Sequence, residues 1–208
     1  MRKITSILLV LCLIIGLAAC SDGNSEKSTG TENDAEGAAT EQTEANNSGS
    51  GNTTLVVYFS VTGNTKGVAE KIASITGADT YEIKAAQEYT DADIDYNDSE
   101  SRATREQNDP SARPEIGSDP VSLERYSTVY IGYPIWWGEE PRIMDTFVES
   151  YNFEGITMIP FCTSGSSGIG VSAKNLESNA GSGNWLDGDR FESSISEDGL
   201  RSWIEGLE

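Results

Sequence analysis

Three uninterrupted apolar runs, rich in β-branched and aromatic residues, constrain the fold of this chain most. They are residues 54–60, 128–133 and 157–162. A strand with one face in water alternates apolar and polar residues, so runs without alternation are typical of strands buried on both faces of a parallel sheet. Parallel strands need crossover connections, and helical patterns follow the runs at residues 65–75, 141–150 and 171–178. The sequence therefore predicts an α/β domain with a parallel sheet.

Two weaker strands and a last helix complete this alternation. Residues 79–84 alternate in polarity, which favours an edge strand, and residues 184–187 are the best candidate for a brief fifth strand. A helical pattern covers residues 196–207, and residues 92–105 are predicted to form a weak acidic helix in a polar segment. The alternation predicts a three-layer, doubly wound sheet of five parallel strands, on which ligands bind beyond the carboxyl ends of the strands.

Residues 1–19 have the order of a secretory signal. Arg2 and Lys3 precede an apolar run at residues 7–17, which is shorter than the roughly 20 residues that span a bilayer. The run leads into Leu-Ala-Ala-Cys, a tetrapeptide that resembles the bacterial lipoprotein box. The resemblance implies acylation of Cys20 as the first residue of the mature chain, and attachment to the membrane on its extracytoplasmic side. A plain signal peptide and a soluble secreted protein are the alternative.

Residues 20–53 cannot build a hydrophobic core. From residue 21 onward they contain no aromatic residue and no Val, Ile, Leu or Met, and they carry seven acids against one lysine. This composition predicts an extended, disordered acidic tether. The folded domain is therefore predicted to comprise residues 54–208.

Charge and residue inventory exclude several classes of function. The formal net charge of −20 argues against a groove that neutralises nucleic-acid phosphates, so no nucleic-acid partner is expected. The chain has no histidine, which excludes Ser-His-Asp and Cys-His catalysis and histidine-ligated metal sites. Cys12, Cys20 and Cys162 lie in regions too different to form a disulfide or metal framework. Cys162 is expected to be an inert buried thiol.

Three unusual segments each follow a predicted strand, so the topology brings them to one edge of the sheet. Residues 60–65 supply three hydroxyls, a glycine and a helix N-terminus, which favour a phosphate, although a simple turn and helix cap would use the same residues. Residues 134–138 contain two adjacent tryptophans, which suit a flat aromatic ligand or ordinary packing. Residues 163–170 are rich in glycine and serine and permit close approach of a ligand to the backbone, with a flexible surface loop as the alternative.

These three loops resemble those of a known family. Residues 58–65, YFSVTGNT, resemble the flavodoxin phosphate loop, whose pattern is Ser/Thr-x-Thr-Gly-x-Thr. Residues 132–138 and 160–165 resemble the second and third loops of a short-chain flavodoxin-like subfamily, although Ser166 and Ser167 make the third loop less glycine-rich. The resemblance implies a flavodoxin-like fold with strand order 2-1-3-4-5 and FMN as the cofactor.

Carried over position by position, the resemblance implies three groups of FMN-binding residues. The FMN phosphate would be held by Ser60, Val61, Thr62, Gly63, Asn64 and Thr65. The isoalloxazine ring would be lined by Pro134, Ile135, Trp136, Trp137 and Gly138, with one of the two tryptophans near its face. The other side would be closed by Thr163, Ser164, Gly165 and Gly168. No catalytic side chain and no metal ligand is expected.

Electron transfer is the function that this resemblance implies. FMN supplies the redox chemistry, and no side chain is an obvious proton donor to a substrate. Residues 54–208 carry 27 acids against 11 bases, so we expect a low potential for the last electron and redox partner proteins with basic surfaces. An FMN-dependent NAD(P)H:quinone-type reductase is the main alternative, with Arg102, Arg105 and Arg113 as candidate contacts to an anionic substrate. A flavin-free extracellular binding lipoprotein is the alternative of another class.

Overall fold

A computed structural model describes residues 53–207. The predicted signal segment, the lipidation site Cys20 and the tether up to residue 52 lie outside the described residues. Strands and helices follow one another as β1 (Thr54–Phe59), α1 (Asn64–Thr76), β2 (Asp79–Ile83), α2 (Arg102–Asn108), β3 (Thr128–Pro134), α3 (Arg142–Glu149), β4 (Thr157–Thr163), α4 (Ser172–Ala180), β5 (Asn184–Trp185), β6 (Asp189–Phe191) and α5 (Glu197–Glu205). Within residues 53–207, no helix has the length and apolar character needed to cross a bilayer.

All strands pair in parallel in one sheet of order β2-β1-β3-β4-β5, which confirms the predicted doubly wound fold. Two segments share the fifth position, because β5 pairs with the start of β4 and β6 pairs with its end. Between them, a Cβ on Gly188 would lie 2.5 Å from the Pro160 carbonyl oxygen, so the chain passes too close to β4 for a side chain. The single strand predicted over residues 184–187 is therefore two shorter strands.

Both faces of the sheet are buried, as predicted from the apolar runs in which polar residues do not alternate. Leu55, Val57 and Phe59 of β1 belong to the apolar cluster under α3 and α4, and Val56 and Tyr58 belong to the cluster under α1 and α5. The helices contribute Ile143, Phe147 and Leu176 to the first cluster, and Val68, Ile72 and Leu200 to the second. The three-layer arrangement is confirmed, and it places the carboxyl ends of β1, β3 and β4 side by side.

The helix predicted over residues 92–105 is wrong. A 3₁₀ turn covers Ala92–Ile94, and α2 begins only at Arg102. Between them, the carboxylates of Asp95 and Asp98 each accept a hydrogen bond from the backbone N–H two residues further on (both 2.8 Å). Short acidic side chains compete in this way for donors that a helix would use, so the helix begins after them.

Candidate functional site

The carboxyl ends of β1, β3 and β4 open into a cavity of about 470 Å³. Eight of its lining residues belong to the set predicted from sequence: Thr62, Asn64, Pro134, Ile135, Trp136, Thr163, Ser164 and Gly165. Five lining residues were not predicted: Ile94, Tyr96, Glu192, Ser193 and Ser194. The three loops therefore meet around one cavity at the edge where doubly wound sheets bind ligands.

The sequence contains usable signals for four of these five residues. Residues 192–194 follow β6, so they too come directly after the carboxyl end of a strand, but the fifth strand predicted over residues 184–187 ends too early to reveal this. Tyr96 is the single aromatic residue between Tyr89 and Tyr126, in a polar segment. Its hydroxyl donates a hydrogen bond to the Ile135 carbonyl oxygen (3.3 Å), which brings this segment onto the second loop.

The first loop presents free backbone donors at the start of α1. Gly63, with φ of +83°, is the N-cap residue, and no side chain caps the helix. The first internal hydrogen bond joins the Gly67 N–H to the Gly63 carbonyl oxygen (2.9 Å), so the N–H groups of Asn64, Thr65 and Lys66 have no helical acceptor. Such donors, together with the helix dipole, attract anions.

The other residues of the first loop have different surroundings. Ser60 and Val61 line a neighbouring cavity of about 370 Å³, and the Ser60 hydroxyl is buried without a hydrogen-bond partner. Thr62 faces the larger cavity. Thr65 is buried, and its hydroxyl shares a hydrogen bond of 2.7 Å with the hydroxyl of Thr163, so it joins the first loop to the third.

The two adjacent tryptophans have different environments. Trp136 is 4% exposed, and its ring packs edge-on against the rings of Phe59 and Tyr89, with centroids 5.6 and 5.2 Å away. Trp137 is 37% exposed, and its ring centroid lies 4.3 Å from that of Tyr96. Of the pair, Trp136 lines the cavity, and Trp137 adjoins it through Tyr96.

A tight turn directs the Trp137 side chain. Trp136 and Glu139 exchange both backbone hydrogen bonds (2.9 and 3.0 Å), and the central residues Trp137 and Gly138 have φ of +50° and +88°. Two consecutive positive φ values identify a type I′ turn, in which a bulky first central residue is strained. Among the residues that the structure describes, Trp137 is the one non-glycine residue with positive φ. Strained backbone conformations cluster at functional sites, so the conformation of Trp137 points to a functional role for this turn.

Hydrogen bonds hold the third loop in place. The Ile135 N–H donates to the Thr163 carbonyl oxygen (3.0 Å), and the Arg190 guanidinium donates to the Ser164 carbonyl oxygen (2.6 Å). A Cβ added to Gly165 or to the exposed Gly168 would meet nothing within 4 Å, so the protein itself does not require glycine at either position. Gly165 lines the cavity, so its lack of a side chain leaves open space there, whereas Gly168 is not among the lining residues.

Comparison with known proteins identifies the family. The family model described as Flavodoxin matches residues 53–207. The chain belongs to the flavodoxin family. No curated protein matches the chain.

Solved structures agree with this flavodoxin assignment. A candidate flavoprotein from Bacteroides eggerthii is 43% identical, with a TM-score of 0.70 over 76% of this chain and 98% of that chain. A candidate flavoprotein from Bacteroides uniformis is 44% identical, with a TM-score of 0.71 over 74% of this chain and 99% of that chain. A flavoprotein from Lactobacillus acidophilus, solved in complex with FMN, is 24% identical, with a TM-score of 0.56 over 74% of this chain and 99% of that chain, a likeness of fold alone.

Three arginines of this flavodoxin-family domain are the candidate contacts to an anionic substrate. All three form ion pairs or hydrogen bonds with other groups of the protein. Arg102 forms an ion pair with Glu106 (2.6 Å) and lies 3.9 Å from the centre of the Tyr89 ring. Arg113 forms an ion pair with Glu149 (2.6 Å). Arg105 donates a hydrogen bond to a backbone carbonyl oxygen, and none of these three arginines lines the 470 Å³ cavity.

The single cysteine of the flavodoxin-family domain lies beside the site, and its thiol is expected to be unreactive. Cys162 precedes Thr163 on β4 and is fully buried. Burial raises the pKa of its thiol to about 12, so the nucleophilic thiolate is scarce at neutral pH. This burial agrees with the expectation of an inert thiol.

Proposed function

We propose that this chain is a flavodoxin-family protein that binds FMN, transfers electrons and is tethered by lipid to the extracytoplasmic side of the membrane. The observation that carries the proposal is the uncapped N-terminus of α1 beside a cavity of about 470 Å³ with aromatic and small residues on its walls. The complex of the Lactobacillus acidophilus flavoprotein with FMN supports the choice of cofactor.

The donors and the cavity walls suit the two parts of FMN. The N–H groups of Asn64, Thr65 and Lys66 and the hydroxyl of Thr62 would hold the phosphate, because a helix N-terminus attracts anions. The flat ring would lie against Trp136 and Ile135 in the remaining space. When bound, FMN supplies the redox chemistry, and the protein supplies orientation and electrostatics.

Negative charge near the cavity supports electron exchange with basic partner proteins. Residues 88–100 carry six acids and include the cavity-lining Ile94 and Tyr96, and Glu192 lies on the cavity wall. A strongly anionic surface steers basic partners toward it, and it opposes the addition of negative charge inside the site. The proposal therefore includes a low potential for the last electron and partners with basic surfaces.

Flavin binding is tested with a protein of residues 53–208. The matched region covers 98% of the crystallised Bacteroides eggerthii chain, so this type of domain folds without a counterpart of residues 1–52. Titration with FMN is expected to quench flavin and tryptophan fluorescence with saturation at one FMN per chain. Thr62→Ala is expected to weaken binding, because it removes a hydroxyl from the phosphate loop, whereas Ser74→Ala, at the other end of α1, leaves it unchanged. A folded protein that does not quench FMN would favour a flavin-free binding lipoprotein.

Two further measurements test the remaining parts of the proposal. An electron carrier is expected to oxidise NAD(P)H only when a redox partner is added, and steady oxidation by the purified flavoprotein alone would indicate a reductase instead. In cells, the chain is expected to take up labelled palmitate and to fractionate with membranes, whereas Cys20→Ala abolishes uptake of the label. Palmitate labelling that survives this substitution would contradict acylation at Cys20.

A further inference from the structure

A group of unpaired buried polar atoms lies behind the Trp136–Glu139 turn. Six buried side-chain nitrogen or oxygen atoms among the described residues have no hydrogen-bond partner. Four of them belong to one cluster, formed by Gln107, Glu140, Arg142 and Asp145. Buried polar groups are nearly always paired, so this concentration requires an explanation.

The buried groups of this cluster do not balance in charge. Glu140 and Asp145 are 0% exposed, and a single buried arginine lies between them, with Arg142 Nη1 3.6 Å from Glu140 Oε1 and 3.5 Å from Asp145 Oδ2. Asp145 has a second, more distant cation in the partly exposed Arg113 (4.0 Å), which is itself paired with Glu149. From α4, the side-chain amides of Asn175 and Asn179 donate to Glu140 (3.2 Å) and Asp145 (2.9 Å). With both acids ionised, the buried set carries one uncompensated negative charge, which is costly away from water. One additional proton removes that charge.

The same cluster holds both ends of the turn. The Gln107 side-chain amide donates to the carbonyl oxygens of Trp136 (3.1 Å) and Glu140 (3.2 Å). Arg142 Nη2 donates to the Gln107 carbonyl oxygen (3.2 Å) and to the Glu139 carboxylate (2.9 Å). The conformation of the strained turn therefore depends on the groups that surround Glu140.

Among the ionisable groups in and around this cluster, Glu140 is the one whose charge changes near neutral pH. Burial, reinforced by the nearby carboxylate of Asp145, raises the pKa of Glu140 to about 7. On β3, burial raises the pKa of the Tyr133 hydroxyl far above its ordinary value, so this group stays neutral. Burial also raises the pKa of Asp145, which Arg142 and Arg113 oppose. The remaining charged groups nearby are Glu139, paired with Arg142, Glu149, paired with Arg113, and Asp109, which interacts with both arginines and accepts hydrogen bonds from Ser111.

We propose that Glu140 is a positioning residue for the cavity: when protonated it keeps the Trp136–Glu139 turn in the conformation seen in the structure, and its ionisation weakens that conformation. The role assigned to the turn in flavin binding rests on the proposed function. Ionised Glu140 leaves the cluster with excess charge, water reaches that charge when the cluster opens, and opening releases Gln107 from both ends of the turn.

The sign of the pH dependence follows from the raised pKa. The closed conformation binds the proton of Glu140 more tightly than an open one, in which the ordinary pKa of 4.5 applies. The closed conformation is therefore most stable below about pH 4.5, loses stability as the pH rises toward about 7, and changes little above that.

The first experiment uses the flavin-free protein of residues 53–208. Near-ultraviolet circular dichroism and tryptophan fluorescence are followed from about pH 4.5 to about pH 8.5. A transition with a midpoint between about pH 4.5 and about pH 7 is expected in the wild type and in the control Glu154→Gln, an exposed acid, and it is expected to disappear in Glu140→Gln. A wild-type signal that is flat over this range overturns the proposal without reference to any variant.

The second experiment measures FMN affinity over the same pH range. The ratio of the wild-type Kd to the Glu140→Gln Kd is used, since ionisation of the FMN phosphate affects both proteins equally. This ratio is expected to rise at least about tenfold with pH, and its upper limit is about 300-fold, the equivalent of the difference between a pKa of about 7 in the closed state and 4.5 in the open state. A constant ratio overturns the link between Glu140 and flavin binding. If neither protein binds FMN but the Glu140-dependent pH transition persists, the proposed function fails, and the control of the turn by Glu140 is supported.

Discussion

Trp136 and Trp137 are neighbours in the chain, yet their roles differ because the turn between Trp136 and Glu139 separates their side chains. Trp136 fills space between Phe59 and Tyr89 and presents one side to the cavity. Trp137 lies largely outside the core, in a conformation that bulky residues rarely adopt. The same residue type therefore contributes packing at one position and an exposed aromatic surface at the next.

Truncation of the two tryptophans is expected to have unequal effects on stability. Trp136→Ala removes a buried ring and should lower the free energy of unfolding by about 3–5 kcal/mol, whereas Trp137→Ala should lower it by less than about 1 kcal/mol. Urea unfolding of residues 53–208, monitored by far-ultraviolet circular dichroism, measures both. Equal losses would show that Trp137 contributes to the core as much as its neighbour.

Cys162 is expected to resist alkylation in the folded domain. Its thiol is buried and its pKa is raised to about 12, so reaction with iodoacetamide near neutral pH should be slower than that of free cysteine by at least about a hundredfold. Mass spectrometry of residues 53–208, which contain no other cysteine, measures the rate. Full reactivity after unfolding in urea is the control, and rapid reaction of the native protein would contradict the burial.

At the scale of secondary-structure elements, the site is formed where β1, β3 and β4 end and α1 begins. The uncapped start of α1 supplies donors, and the buried Thr65–Thr163 hydroxyl pair connects the loop before α1 to the end of β4. The Ile135 N–H connects the loop after β3 to the same threonine. The three loops are therefore held relative to one another by short bonds between protein groups.

The hydroxyl pair is expected to behave as a coupled unit. Thr65→Val keeps the shape but leaves the buried Thr163 hydroxyl without its partner, which should lower the free energy of unfolding by about 1–3 kcal/mol. Replacing both residues by valine should cost less than the sum of the two single changes. A double-mutant cycle in urea measures the coupling, and additive losses would show that the hydroxyls do not interact.

At the scale of the whole molecule, negative charge dominates. Residues 54–208 carry 27 acids against 11 bases, and several of the bases are already paired with acids. Self-repulsion of this size disfavours the compact state, and under the proposed function the same anionic surface would attract basic partners. Stability and partner association are therefore both expected to depend on ionic strength.

Salt is expected to stabilise the domain. Raising NaCl from about 10 mM to about 200 mM shortens the screening length from about 30 Å to less than 10 Å, so the repulsion weakens and the unfolding temperature rises. Differential scanning calorimetry at constant pH measures the shift, and Glu88→Gln combined with Glu192→Gln should reduce it. An unfolding temperature that falls with salt would show that ion pairs outweigh the repulsion.

The sequence by itself determined the fold class and the three loops of the site. Buried parallel strands are recognisable from unbroken apolar runs such as residues 54–60, and the topology of a doubly wound sheet places the loops that follow them at one edge. The resemblance of residues 58–65 to the flavodoxin phosphate loop then identified the family, which the family model confirms. These inferences succeed because they depend on local pattern and chain order.

The tertiary structure alone decided which side chains meet. It brings Tyr96 and residues 192–194 to the cavity, divides the two tryptophans, and encloses Glu140 and Asp145 around one arginine. Each outcome depends on segments that are distant in the chain, and the environment they create sets burial, strain and pKa. Residue types and spacing do not record these contacts, because a glutamate on the surface stays solvated, whereas burial inside the fold raises the pKa of Glu140.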